Sequence, residues 1–154
     1  MTILVTGGTG FIGSHTVIEL VQTHYDVVIL DNLSNSSCRI LPRLHQITGC
    51  EIPFYQGDIR DRNILKEIFS KHKISTVMHF AGLKSVGEST REPIKYYDNN
   101  VVGSLILAEG MAAASVFNIV FSSSATVYGD PLQTPITEDM PTGGTTNPYG
   151  TSKY

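Results

Sequence analysis

The sequence predicts an α/β fold built on a doubly wound parallel sheet, and three features of its 154 residues carry that prediction. Short β-branched runs recur between segments of helical periodicity, which is the pattern of repeated βαβ units. Several of these runs are apolar at consecutive positions, as in Val27-Val28-Ile29-Leu30, which suits strands covered by helices on both faces. A glycine-rich stretch separates the first strand from the first helix, where such a sheet has its tightest turn.

In chain order, strands are predicted over Thr2–Thr6, Asp26–Asp31, Glu51–Gln56, Thr76–Phe80 and Asn118–Ser122. The sheet they form is expected to be buried on both sides. Helices are predicted over Ile12–Thr23, Arg39–Thr48, Asp61–His72 and Glu92–Ser115. The last is the longest and has Pro93 in its first turn, where a missing N–H costs nothing. Its Met111-Ala112-Ala113-Ala114 stretch is good helix former. From Asp130 to Pro148 prolines and glycines accumulate without an apolar period, which predicts a surface loop. Asn147-Pro148 reads as a helix entry, with Tyr149 in the first turn.

Composition narrows the function classes. With 41% hydrophobic and 16% charged residues, the chain suits one sizeable core and one domain over residues 1–154. The net charge of −3 is scattered, with no Lys/Arg block, which argues against nucleic acid and an anionic membrane surface as partners. Cys38 and Cys50 lack CxxC spacing, and the chain opens directly on an apolar strand. Both observations point to free thiols in a reducing cytoplasm. The apolar runs are far shorter than the roughly 20 residues of a membrane-spanning helix. His15, His24, His45, His72 and His79 have no ligand spacing, so no metal site is expected. His79, within a strand, reads as a core histidine.

The chemistry lies in the strand ends. In Thr6-Gly7-Gly8-Thr9-Gly10-Phe11-Ile12-Gly13, Gly7 permits the tight turn, Gly10 lets a pyrophosphate approach the backbone, and Gly13 lets the helix pack closely on the sheet. Gly8 is extra in this reading. Such a turn is the dinucleotide fingerprint of a Rossmann-type fold. Asp31, ending the second strand, is placed to accept hydrogen bonds from the adenosine ribose. That favours NAD over NADP, since a 2′-phosphate would meet the carboxylate and the nearest arginine in sequence is Arg39. Asp58 and Ile59 follow the third strand, and Phe80-Ala81-Gly82 the fourth, at the carboxyl edge where open sheets bind ligands. Asp58 is a candidate acceptor for the adenine amino group. Gly82 and Lys84 stand where the chain would run along the cofactor. Asn99 is the candidate to brace that loop, and Asn100 beside it has no role in this reading.

Ser122-Ser123-Ser124 closes the fifth strand, where a hydroxyl can bond a substrate oxygen. No nucleophile elbow surrounds these serines, which argues against a serine hydrolase. Tyr149 and Lys153 lie four residues apart, on one face of a helix. A phenol titrates at about pH 10 and serves as a base at neutral pH only if its phenolate is stabilised. The Lys153 ammonium, with a positive nicotinamide ring, would supply that. Ser124 would orient the substrate hydroxyl.

These residues resemble the extended short-chain dehydrogenase/reductases. Within them, the chain is similar to the N-terminal half of the epimerases that interconvert UDP-glucose and UDP-galactose. The matching stretches include Val5–Thr16, Asp31-Asn32-Leu33, His79–Lys84, Val86-Gly87-Glu88-Ser89, Tyr96-Tyr97-Asp98-Asn99-Asn100 and Phe121–Gly129. Related dehydratases carry an Asp-Glu pair just before Val-Tyr-Gly, where this chain has Ala125 and Thr126. The resemblance implies that Phe11, Ile12, the Asp31–Ser36 segment with Asn32, Asn35 and Ser36, Asp58, Ile59, Phe80 to Lys84, Asn99 and Ser122 lie along NAD. It implies Ser124, Tyr149 and Lys153 as the catalytic set, the latter two also touching the cofactor. The implied reaction moves a hydride from sugar C4 to NAD⁺, lets the 4-ketosugar rotate, and returns the hydride to its other face. A UDP-sugar substrate, galactose metabolism, and a homodimer in the full-length form follow from the same resemblance.

Family members continue for roughly as many residues again, into a domain that grips the UDP-sugar. The chain is therefore expected to be the NAD-binding half, truncated before the substrate domain and inactive alone. An NAD-binding module without catalysis, or another extended reductase acting on a nucleotide sugar, is the alternative. A helix of under two turns from Tyr149 is expected to fray, and the chain from Asp130 onward to be the most mobile. Val101, Val102, Leu105 and Ile106 are expected to leave apolar surface that favours self-association.

Overall fold

The computed structural model describes all 154 residues, Met1–Tyr154. The two strongest apolar runs form strands at their predicted limits, β1 (Thr2–Thr6) and β2 (Asp26–Asp31). β3 is shorter than predicted, Phe54–Gln56, because Pro53 has no N–H to donate to a ladder. β4 spans Ile74–His79 and β5 Asn118–Phe121. All neighbours are parallel, in the order β3-β2-β1-β4-β5.

Between these strands lie α1 (Phe11–Gln22), α2 (Ile40–Thr48) and α3 (Arg62–Lys71). Asp61 caps α3, accepting from the N–H groups of Asn63 and Ile64. Strand side chains alternate between faces, which explains the consecutive apolar positions. Ile3, Val5, Val27 and Ile29 join Val17 of α1 and Leu44 of α2 in one core, while Leu4, Val28, Leu30 and Val77 join Leu65 and Ile68 of α3 in the other. The sheet is thus doubly wound, as predicted. β5 departs from the expectation of burial on both sides: it lies at the edge with all four residues exposed.

The predicted Glu92–Ser115 helix forms in three pieces. α5 (Pro93–Tyr96) leads into a π-helical segment, Tyr97–Val102, and then α6 (Gly103–Ala113). Val101, Val102 and Leu105 are exposed as expected, but Ile106 is buried in the α3 core with Leu107 and Met111. A further helix, α4 (Val86–Arg91), precedes the long one. Its signal is the Ser85-x-x-Glu88 capping pattern, with Ser85 Oγ accepting from the Glu88 N–H. A 3₁₀ turn, Ala125–Tyr128, follows β5, and α7 (Pro148–Lys153) closes the chain.

The chain falls into two compact units. One comprises Met1–Ala81 and Leu105–Ser122; the other comprises Gly82–Ser104 and Ser123–Tyr154. The first contains the whole sheet with α1 to α3, and the second contains α4, α5, the π-helical segment, the 3₁₀ turn and α7.

Candidate active site

In the first unit the glycine turn is shaped by contact with the chain leaving β4. Gly7 has φ +71°, and a Cβ there would lie 2.7 Å from Ala81 N and 2.8 Å from Phe80 C. Any other residue would force this turn off the sheet. A Cβ on Gly13 would overlap the Gly7 carbonyl, so α1 starts directly against the turn. Gly8, read from sequence as extra, is also needed: a Cβ there would stand 2.8 Å from Ile29 Cγ2. Gly10 has only the Gly7 carbonyl oxygen nearby, at 3.3 Å. Gly10 is the N-cap of α1 and no side chain caps that helix, which leaves its first-turn N–H groups for water or an anion. Phe11 and Ile12 are exposed beside it.

Asp31 is buried at the end of β2. Its Oδ2 accepts from Thr9 N–H at 3.0 Å, and its Oδ1 accepts from Leu33 N–H and Ser36 Oγ, both at 2.9 Å. Thr9 Oγ1 in turn donates to Ser36 Oγ at 2.8 Å. Three of about four lone-pair positions on the carboxylate are used. Asn35 is exposed.

Asp58 is not a lone acceptor. Arg60 donates to it through Nε at 2.8 Å and Nη2 at 2.7 Å, the Arg60 N–H adds 2.9 Å, and Asn32 Nδ2 donates at 2.9 Å. These bonds, the Arg60 side chain first, hold the Asp58 carboxyl well below the usual carboxylate range against the opposing effect of burial. Sequence reading missed Arg60, whose pattern signal is only the Asp-x-Arg spacing. Ile59 is buried in the α3 core, so its backbone rather than its side chain remains for a ligand. His79 is a core histidine, its Nδ1 2.6 Å from Thr6 Oγ1. Ser122 extends the β4 ladder, its N–H donating to His79 O at 3.1 Å.

In the second unit, Asn147 Oδ1 accepts from Gly150 N–H at 2.8 Å and caps α7, with Pro148 in the first turn. The expected fraying of this short helix is countered by such anchors. Tyr149 and Ser152 are buried. Ser152 Oγ donates to Tyr149 O and accepts from Asn100 Nδ2, both at 2.8 Å. Ser123 Oγ donates to Lys153 O at 3.3 Å.

Asn100 is the principal correction to the sequence reading. It is buried, its Nδ2 also donates to Leu83 O at 2.9 Å, and its Oδ1 accepts from Leu83 N–H at 2.8 Å and Asn99 Nδ2 at 2.9 Å. Asn100, rather than Asn99, braces the loop after β4. That loop meets the Tyr/Lys helix at Gly82, where a Cβ would lie 3.0 Å from Lys153 Nζ. Burial pushes the Lys153 ammonium below its ordinary pKa. Lys84 is exposed.

Ser124 caps the 3₁₀ turn. Its Oγ accepts from Thr126 N–H at 3.2 Å and Thr126 Oγ1 at 2.8 Å. Both hydroxyl lone pairs are thereby used, leaving its O–H to donate. Each sequence-selected group of this unit lies on a defined backbone: Tyr149 and Lys153 on one helix, Ser124 at a turn.

Known proteins resemble this arrangement throughout. The family described as GDP-mannose 4,6 dehydratase matches residues 4–154. A UDP-glucose 4-epimerase of Neisseria meningitidis serogroup A is 73% identical over 151 residues, covering 98% of this chain and 44% of that protein. The UDP-glucose 4-epimerase of Haemophilus influenzae is 62% identical over 154 residues, covering all of this chain and 46% of the relative. The crystal structure of UDP-glucose 4-epimerase from Bifidobacterium longum in complex with NAD⁺ and UDP superimposes with a TM-score of 0.98 at 56% identity, over 99% of this chain and 46% of that one. The chain spans about half the length of the curated relatives it matches. From the first strand to the last helix, fold and sequence agree that the chain belongs to the GDP-mannose 4,6 dehydratase family.

Proposed function

We propose that this chain holds NAD and carries the proton-transferring residues of an enzyme that epimerises UDP-glucose and UDP-galactose at C4. The observation that carries the proposal is the second unit's anchored helix, with Tyr149 buried and the Lys153 ammonium drawn against Gly82.

The residues fit a dinucleotide. The uncapped start of α1 offers N–H donors for a pyrophosphate beside a Gly10 with no side chain to obstruct it. Asp31 keeps one acceptor position for a ribose hydroxyl, and its charge opposes a 2′-phosphate. The guanidinium of Arg60 is occupied by Asp58. The Asp58 acceptors are themselves largely taken, so adenine selection by this side chain rests on what its network leaves. NAD⁺, when bound, supplies the hydride acceptor and later the donor.

Tyr149 takes the proton of the C4 hydroxyl, and the Lys153 cation stabilises the phenolate. Ser124, with its O–H as the unused group, donates to the substrate oxygen and orients it. The proton returns from Tyr149 when the 4-ketosugar is reduced on its other face. Elimination of water needs a carboxyl pair before Val127-Tyr128-Gly129, and Ala125 and Thr126 supply none. Thr126 instead donates its hydroxyl to Ser124. That favours epimerisation over dehydration within the family. The relatives named UDP-glucose 4-epimerase support the same choice. The resemblance also supports galactose metabolism, a cytoplasmic setting and a homodimeric full-length form.

The test is conversion of UDP-galactose to UDP-glucose by purified protein, with bound NAD followed by absorbance. The 154 residues by themselves are expected to give no turnover, and a full-length protein containing them is expected to turn over without added cofactor. Bound NAD without turnover would favour a cofactor-binding module, and release of a 4-keto-6-deoxysugar would make it a dehydratase.

A further inference from the structure

Tyr96 is completely buried and carries a polar group inside. Its ring packs against that of Tyr149 in an edge geometry, with centroids 6.5 Å apart and planes at 78°. Its hydroxyl accepts from the Ser85 N–H at 3.0 Å and donates to Glu88 Oε2 at 2.8 Å. A capping box at Ser85-x-x-Glu88 would send the glutamate back to the Ser85 N–H. Here the phenol of Tyr96 stands between them, taking the backbone proton and passing its own to the carboxylate. Lys95 Nζ holds the other oxygen of Glu88 at 2.7 Å. A buried hydroxyl without partners is costly, and both bonds of this one fall on one short segment.

We propose that Tyr96 is a positioning residue for Tyr149: its ring sets the orientation of the Tyr149 phenol by edge contact, and its hydroxyl locks that ring to the start of α4. A phenylalanine would satisfy the packing alone. The hydroxyl adds a fixed point, because two hydrogen-bond partners on one oxygen restrict the tilt of the ring bearing it. The same loop that supplies Ser85 supplies Gly82 to Lys153 and Leu83 to Asn100. Both members of the Tyr149/Lys153 pair are therefore referenced to the residues 82–85 segment, Lys153 directly and Tyr149 through Tyr96. An aromatic edge contact contributes beyond its buried area and so favours one ring orientation over another.

The inference rests on the proposed epimerase reading, and its test separates the two. Protein containing this chain is labelled with 3-fluorotyrosine, and the Tyr149 signal is identified by its loss in Tyr149→Phe. Tyr96→Phe is expected to broaden or average that signal and to lower kcat about tenfold, with KM for UDP-galactose and NAD content unchanged. Tyr96→Leu is expected to lower kcat about a hundredfold. Should Tyr96→Leu fail to fold, Tyr96→Phe alone decides. A Tyr149 signal left in place by Tyr96→Phe overturns the proposal, and so does a displaced signal with unchanged kcat. Wild-type protein without epimerisation removes the functional reading, and the fluorine signal then judges the orienting role by itself.

Discussion

At the scale of single residues, the proposed function separates groups that would meet the reaction from groups that hold them. In protein carrying this chain, Tyr149→Phe is expected to lower epimerisation by about 10²–10⁴-fold while NAD stays bound, because the ring still packs against Tyr96 but accepts no proton. Steady-state kinetics with cofactor absorbance checks this. Lys153→Ala is expected to move the pH optimum upward: without the cation, the phenol ionises only at higher pH. In the unaltered protein, burial lowers the pKa of Lys153. The charge proposed to support the phenolate should therefore be lost below the ordinary lysine range, and activity should fall there on the alkaline side. A pH–rate profile of both proteins reads the two limbs. Asp31 makes a third prediction: affinity for NAD⁺ should exceed that for NADP⁺ in a calorimetric titration, and Asp31→Ala should narrow the difference. These three side chains were legible in sequence because strand ends and i, i+4 spacing are local properties. Asn100 was not, since its role depends on Ser152, which is 52 positions away.

At the scale of elements, the consequential departure is the interruption of the long helix. Periodicity runs smoothly from Glu92 to Ser115, yet the backbone takes a π-helical course over Tyr97–Val102. Within that segment Asn100 satisfies the Leu83 N–H and carbonyl and the Ser152 hydroxyl together. Asn100→Leu would fill similar space and leave those groups without their partner. It is expected to destabilise the protein by about 2–4 kcal/mol, measured by urea denaturation. The helix α4 lay within reach of sequence reading through Ser85 and Glu88, but its six residues carry too little periodicity to announce a helix. α7 is equally short, and its stability comes from the Asn147 cap and the Asn100–Ser152 bond rather than from its length.

At the scale of the whole molecule, two units share one continuous chain, and their stability has an acid limit with an identifiable contributor. Hydrogen bonds from Arg60 and Asn32 depress the folded pKa of Asp58. A depressed carboxylate contributes stability that is complete above its unfolded pKa of about 3.9 and is lost as pH falls from there through the folded value. Asp58→Asn should flatten this part of the acid unfolding curve, followed by circular dichroism, with an effect reduced by the partial exposure of the pair. The sequence by itself determined the parallel sheet, the glycine turn, the carboxylate ending β2 and the register of Tyr149 with Lys153. Each depends on composition or spacing within one or two turns of chain. Only the tertiary structure decided the Asn32 bond to Asp58, the burial of Ile59 and Ile106, the exposure of β5, and the hydrogen bonds of Tyr96 and Asn100. Those outcomes arise where segments distant in sequence compete for the same hydrogen-bonding groups and apolar contacts, and no local pattern records which pair meets.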